Sequence, residues 1–185
     1  MGRIGSLDEV SRVAARARSQ GRRVVFTNGC FDLFHVGHLR SLEAARALGD
    51  LLVVGINEDA SVRRLKGPLR PYLALPHRAE LLASLTVVDW VVPFAEETPL
   101  HMIRTIRPQI LAKGADYAGR EVVGAEEVKR WGGSVHLLDL VPGVSTTELA
   151  RRICDAGIPA DSEGADSEKS PARGCSDEHD GDERS

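Results

Sequence analysis

Between residues 27 and 38 the chain reads Thr27-Asn28-Gly29-Cys30-Phe31-Asp32-Leu33-Phe34-His35-Val36-Gly37-His38. His35 and His38 stand three residues apart at the entry of a helical pattern, so both rings can face one point. Gly37 between them lets a ligand approach the backbone closely. A helix entry also offers free N–H groups and the positive end of a dipole, which suits phosphate. Two imidazoles beside such an entry are suited to offsetting negative charge at a phosphorus centre. Metal ligation needs a third ligand, and no HExxH pattern supplies one; paired surface histidines are the bland alternative. Neither a GxxxxGK[ST] loop nor a GxGxxG turn follows the preceding strand.

The elements that must hold this segment alternate. Ser6 to Gln20 reads as an amphipathic helix, with Ser6 or Asp8 as cap. Arg23 to Thr27 reads as a buried strand, and Val36 to Leu48 as a helix with Leu39, Leu42 and Ala45 on one face. Further strands are expected over Leu51–Ile56, Val87–Pro93, Gln109–Lys113 and Val135–Leu138. Helices are expected over Pro76–Leu85, Thr98–Ile106, Gly124–Arg130 and Ser145–Ile153. This order predicts an α/β fold: a Rossmann-like, doubly wound parallel sheet of about five strands with helices on both faces. Ligands then bind beyond the carboxyl ends of the strands, after Thr27, Ile56, Lys113 and Leu138.

Composition sets bounds. Aromatic residues make up only 4% of the 185, so aliphatic side chains and alanine must fill the core. No apolar run is long enough for a bilayer, and Met1 to Gln20 lacks a signal-peptide core, so a cytoplasmic location and no membrane partner are expected. Cys30, Cys154 and Cys175 form no CxxC pair; Cys154 reads as a small core residue. From Asp155 to Ser185 there are ten acidic and three basic residues and no apolar periodicity, which predicts a disordered acidic tail. The organisation expected is an N-terminal helix over 1–21, a main domain over 22–154 and that tail over 155–185. The body is mildly basic, enough for a small anionic substrate and too little to argue for nucleic acid.

The GCFDLFHVGH run resembles the HxGH motif of the nucleotidyltransferase superfamily. The wider chain, from about Val24 to Ile153, is similar to the heptose 1-phosphate adenylyltransferases. The stretches that carry this are TNGCFDLFHVGH, ARALGDLLVVGINEDASVRRLKG, VDWVVPF with EETP, LAKGADY and VSTTEL, in that order. The resemblance implies transfer of AMP from ATP to a heptose 1-phosphate, with Mg²⁺ entering on the ATP and no protein metal site. It leaves a homodimer open.

It also implies roles. His35, His38 and Lys66 match the catalytic positions. Thr27, Asn28, Gly29, Cys30, Phe31, Gly37, Lys113, Gly114, Ser145, Thr146 and Thr147 match the nucleotide and phosphate contacts. Asp32, Arg78 and Asp116 match the substrate side. Each keeps a plainer alternative. Lys66 can be a solvated helix end, Asp116 a turn residue, and Arg78 a packing or ion-pair residue. Asp32 can simply hold the loop, and Ser145 can be a helix cap with Glu148 completing a capping box.

The chain departs from the heptose pattern at His77, where those enzymes usually carry Gln. Cytidylyltransferases for glycerol 3-phosphate often carry His-Arg there, but also an arginine just before Pro-Gly-Ile-Ser-Thr; this chain has Leu140 and Val141 instead. Cytidylyl transfer to an alcohol phosphate, and a nucleotide-binding regulatory protein without chemistry, are the two competing expectations.

Overall fold

The structure is a computed structural model and describes residues 1–114, 122–139 and 141–156. Asp116 and nearly all of the 155–185 tail, with Cys175, lie outside the described residues. The elements are β1 (Arg3–Ile4), α1 (Leu7–Ser19), β2 (Val24–Gly29), α2 (Val36–Ala47), β3 (Leu51–Asn57), α3 (Asp59–Lys66) and α4 (Leu75–Ser84). They continue with β4 (Trp90–Phe94), α5 (Leu100–Ile106), β5 (Ile110–Gly114), α6 (Ala125–Arg130), β6 (Ser134–Leu138) and α7 (Thr146–Asp155).

The sheet has six strands in the order β1-β4-β3-β2-β5-β6, and every pairing is parallel. The sequence count of about five therefore falls one short. The extra strand is the two-residue edge β1, where Arg3 pairs with Trp90 and Ile4 with Val91. A strand that short has no alternation to read, and Gly2 beside it is required by space. A Cβ there would lie 2.4 Å from the Val88 carbonyl oxygen. Helix α3 also leaves no periodic pattern; five of its eight residues are polar, and only Ser61 and Val62 are buried.

Both sheet faces are covered, and the alternation along the central strands explains how. Val24 and Phe26 of β2, with Leu51 and Val53 of β3, join one core with Val10 and Ala14 of α1, Ile103 and Ile106 of α5 and Val128 of α6. Val25 of β2, with Leu52, Val54 and Ile56 of β3, joins the other with Leu42 and Ala45 of α2 and Ala79 and Leu82 of α4. Strands buried on both sides must be apolar at every position, as VVF and LLVVGI are. Helix α1 thus belongs to the same core as the sheet.

Cys154 corrects an expectation: it is exposed on α7, a helix with no buried residue. Its apolar spacing is that of a core helix, but no α7 residue enters either core.

The strand order reverses beside β2, between β3 leading one way and β5 the other. The crevice at the carboxyl ends of β2 and β5 is the place such folds reserve for ligands. Residues 27–38 emerge there.

Candidate functional site

The site is built on two helix starts. His35 is the N-cap of α2, and its Nδ1 accepts the backbone N–H of His38 at 3.3 Å. Accepting that bond requires a lone pair on Nδ1, so the His35 ring is neutral with its proton on Nε2. His38 stacks on His35, with centroids 3.8 Å apart and planes 16° from parallel. Phe31 meets the His38 ring edge-on at 5.3 Å and Phe34 lies at 5.5 Å. The Nδ1 of His38 is buried without a hydrogen-bond partner among the described residues, which leaves Nε2 as the nitrogen able to meet a ligand.

Burial and the neighbouring His35 ring push His38 down to about 4, against a smaller upward pull from Asp32. Burial also lowers His35. Both rings are therefore neutral near pH 7, and His35 presents an Nε2–H donor. Gly37 gives the stack room, since a Cβ there would lie 3.0 Å from both Cε1 and Nδ1 of His35, a contact that would press on the ring.

The start of α7 sits against the same loop. The Thr146 hydroxyl donates to the backbone oxygen of Asp32 at 2.7 Å, and Ser145 caps α7 by accepting the Glu148 N–H at 3.1 Å. Only this half of the expected capping box is seen, because the Glu148 carboxylate pairs with Arg151 at 2.8 Å. The starts of α2 and α7 thus bring two positive dipole ends together, with Ser145 and Thr147 exposed beside them.

From the sheet come Thr27, buried at the end of β2, and then Asn28 and Gly29. Lys113 of β5 is buried and donates to the Asn28 side-chain oxygen across the crevice, with Gly114 next to it. Lys66 ends α3 in solvent, close enough for its charge to pull on the Cys30 thiol. Burial outweighs that pull and raises Cys30, so the sulfur stays a thiol and is a poor nucleophile.

Two residues matched to the substrate side are turned into the framework. Asp32 is 4% exposed, and its carboxylate accepts from Arg70 Nη1 at 2.8 Å and from the backbone N–H groups of Tyr72 and Leu73. Arg78 is 1% exposed. It donates to the carbonyls of Leu73, Cys30 and Asn57 and to the Asp59 carboxylate, at 2.6–2.9 Å. Arg70 also belongs to the site, and no local pattern in the sequence marks it, because its partner lies 38 positions away.

Phe31 and Leu33 hold φ values of 50° and 45°, left-handed for residues with side chains. Such strain persists only where surrounding bonds over-determine it, as Asp32 and Arg78 do here. No cluster of three or more His, Cys, Asp or Glu among the described residues is arranged to hold a metal. With Asp32 already committed, the donors present suit a cation carried in on a triphosphate with its own waters.

Comparison with known proteins agrees. The cytidylyltransferase-like family matches residues 26–152. The bifunctional protein HldE of Syntrophotalea carbinolica is 57% identical over 138 residues, covering 75% of this chain and 28% of that protein. The HldE of Geobacter sulfurreducens is 51% identical over 154 residues, covering 83% and 31%. The chain spans about a third of the length of these relatives. A crystal structure of the lipopolysaccharide core biosynthesis protein from Thermoplasma volcanium GSS1 aligns with a TM-score of 0.54 at 28% identity, covering 65% of this chain and 98% of that one. A chain matched from within the first long strand to the last helix, with paired imidazoles at the sheet's switch point, belongs to the cytidylyltransferase-like family and is a nucleotidyltransferase.

Proposed function

We propose that this chain transfers AMP from ATP to D-glycero-β-D-manno-heptose 1-phosphate, giving ADP-heptose and pyrophosphate. The observation that carries this reading is the stacked His35–His38 pair at the joined starts of α2 and α7. The motifs LAKGADY and VSTTEL, the HldE relatives and the lipopolysaccharide-core neighbour support heptose as the acceptor.

The acceptor's phosphate oxygen attacks the α-phosphorus of ATP. An O–P bond forms there, and the bond to the bridging oxygen breaks as pyrophosphate leaves. That oxygen is already anionic near neutral pH, so no general base is required. What the protein supplies is position and compensation of charge on the five-coordinate phosphorus. The Nε2–H groups of His35 and His38 donate to phosphate oxygens. The amides of Cys30 and Phe31, Gly37 and the starts of α2 and α7 add fixed positive potential. Lys66 approaches from the end of α3, and Lys113 with Gly114 closes the β5 side beside Thr27, Asn28 and Gly29. Ser145, Thr146 and Thr147 line the α7 side, and Asp116 serves the sugar side. Mg²⁺, entering on the triphosphate, offsets part of its charge.

The test is pyrophosphate release with ATP, CTP or GTP against heptose 1-phosphate, other sugar 1-phosphates and glycerol 3-phosphate. ATP with heptose 1-phosphate is the expected pair. Preferential turnover of CTP with glycerol 3-phosphate would overturn the reading; the Leu140-Val141 pair in place of an arginine argues against that result.

A further inference from the structure

The fully buried guanidinium of Arg78 sits behind the reacting residues, and nothing about its type or spacing explains why a charge should be there. Its side chain has 0% exposure, and its charge partner, Asp59, is only 30% exposed. Desolvating an arginine so completely is unfavourable unless each N–H is used. Here the fork reaches four oxygens on three separate segments. Nε takes the Leu73 carbonyl at 2.8 Å, ahead of α4. Nη2 takes the Asn57 carbonyl at 2.9 Å, at the end of β3, and Asp59 Oδ1 at 2.6 Å, at the start of α3. Nη1 takes the Cys30 carbonyl at 2.6 Å, in the loop before α2.

The Cys30 bond is the consequential one. In a trans peptide the carbonyl and the following N–H point in opposite directions. Drawing the Cys30 carbonyl onto Arg78 therefore turns the Phe31 N–H away from the guanidinium. Phe31 then sits at φ 50°, and its ring lies 5.3 Å from His38, edge against face. Asp32 holds the next stretch of backbone from the other flank through Arg70, Tyr72 and Leu73. A direct route of contacts thus runs from Arg78 through Cys30 and Phe31 to the His38 ring.

We infer that Arg78 is a positioning residue for the transfer reaction: it sets the Cys30–Phe31 peptide and, through Phe31, the seat of His38, and it does not contact the sugar phosphate. This departs from the substrate-side role that the family resemblance implies for this position. The claim rests on the transferase reading above for its kinetic part only.

Lysine keeps the charge but lacks the fork and cannot hold three segments at once. Arg78→Lys is expected to lower kcat about tenfold to a hundredfold, the scale of a small misplacement of reacting groups. KM for the sugar 1-phosphate should stay within about twofold. The reverse pattern, a raised KM with kcat intact, would make Arg78 a substrate contact and overturn the inference. A second readout needs no turnover. In nuclear magnetic resonance spectra of the ligand-free protein, Arg78→Lys should displace the Phe31 amide and His38 ring signals. Wild-type positions for both would overturn the inference, whatever the kinetics. Should Arg78→Lys not fold, Asp59→Asn removes the counter-charge and leaves the arginine in place; it should move the same two signals in a smaller degree. Signals that move in a protein without any transferase activity would sink the functional reading and leave the positioning role standing.

Discussion

At the scale of single residues, the state of the two imidazoles determines what the site can do. His35 uses Nδ1 to cap α2, and His38 lies under Phe31 and against His35, so each ring has Nε2 left for a ligand. Replacing either His35 or His38 with Ala is expected to cut turnover by about a hundredfold or more while the fold persists, as loss of a preorganised charge stabiliser does. Normal turnover in both variants would sink the mechanism. The depressed His38 also makes a stability prediction. An unfolded imidazole takes up its proton near 6.5, whereas the native ring resists until about 4. Between those values the unfolded chain binds more protons, so native stability falls as pH drops through that window and is restored above it. Because the ring is partly exposed, the loss should be about 2 kcal/mol, below the full value of the shift. Urea melts at pH 7 and pH 4.5 will measure it, and His38→Gln should flatten the difference. An unchanged pH slope in that variant would assign the acid sensitivity elsewhere.

At the scale of elements, the site depends on how two helices begin. In α2 the His35 ring packs where a Cβ on residue 37 would lie 3.0 Å from it, tight enough to displace the ring by a few tenths of an ångström. Alanine is ordinarily favoured over glycine inside a helix by about 1 kcal/mol. Gly37→Ala is therefore expected to leave the melting temperature nearly unchanged while turnover falls at least about tenfold. Equal turnover would show that the ring has another place to go. In α7 the Ser145 cap satisfies one of the first N–H groups of a helix without buried residues. Ser145→Ala should cost about 1 kcal/mol locally. Hydrogen exchange should read it as faster exchange at Glu148, with the central strands unaffected. If the strands exchanged faster as well, α7 would be integral to the global unfolding unit. The same helix shows why the core position read for Cys154 does not hold. Its apolar spacing is real, but spacing states only that one side is apolar, and what packs against α7 determines whether that side meets a core.

At the scale of the whole molecule, Arg78 and Asp32 join segments far apart in the chain into one rigid support. Arg78→Met should destabilise the fold by about 3–5 kcal/mol, because it strands Asp59 and three backbone carbonyls that now share one donor group. A denaturant melt checks this, and a loss under about 1 kcal/mol would mean that the surrounding loops repack readily. Removing residues 157–185 is expected to leave both melting temperature and turnover unchanged, since the family match ends at residue 152. A large loss of either would give that acidic segment a part in the enzyme.

Much of this architecture is local in origin and therefore legible in the residues. Doubly buried strands must be apolar throughout, helix faces repeat every three to four positions, and phosphate chemistry at a helix entry needs its His-x-Gly-His spacing within one turn. These conditions bind residues close in the chain, so the sheet, its covering helices and the His35–His38 pair follow from the sequence. Edge strand β1 and the mostly polar α3 do not, because two paired residues or a short polar helix leave no periodic trace. Nor do the partners of Asp32 and Arg78: an aspartate and an arginine look alike whether they hold a ligand or a loop. Only the fold, by bringing Arg70 to Asp32 and the Cys30 carbonyl to Arg78 across 38 and 48 positions, determined that both side chains are enclosed and that the loop beneath the imidazoles is held from two sides.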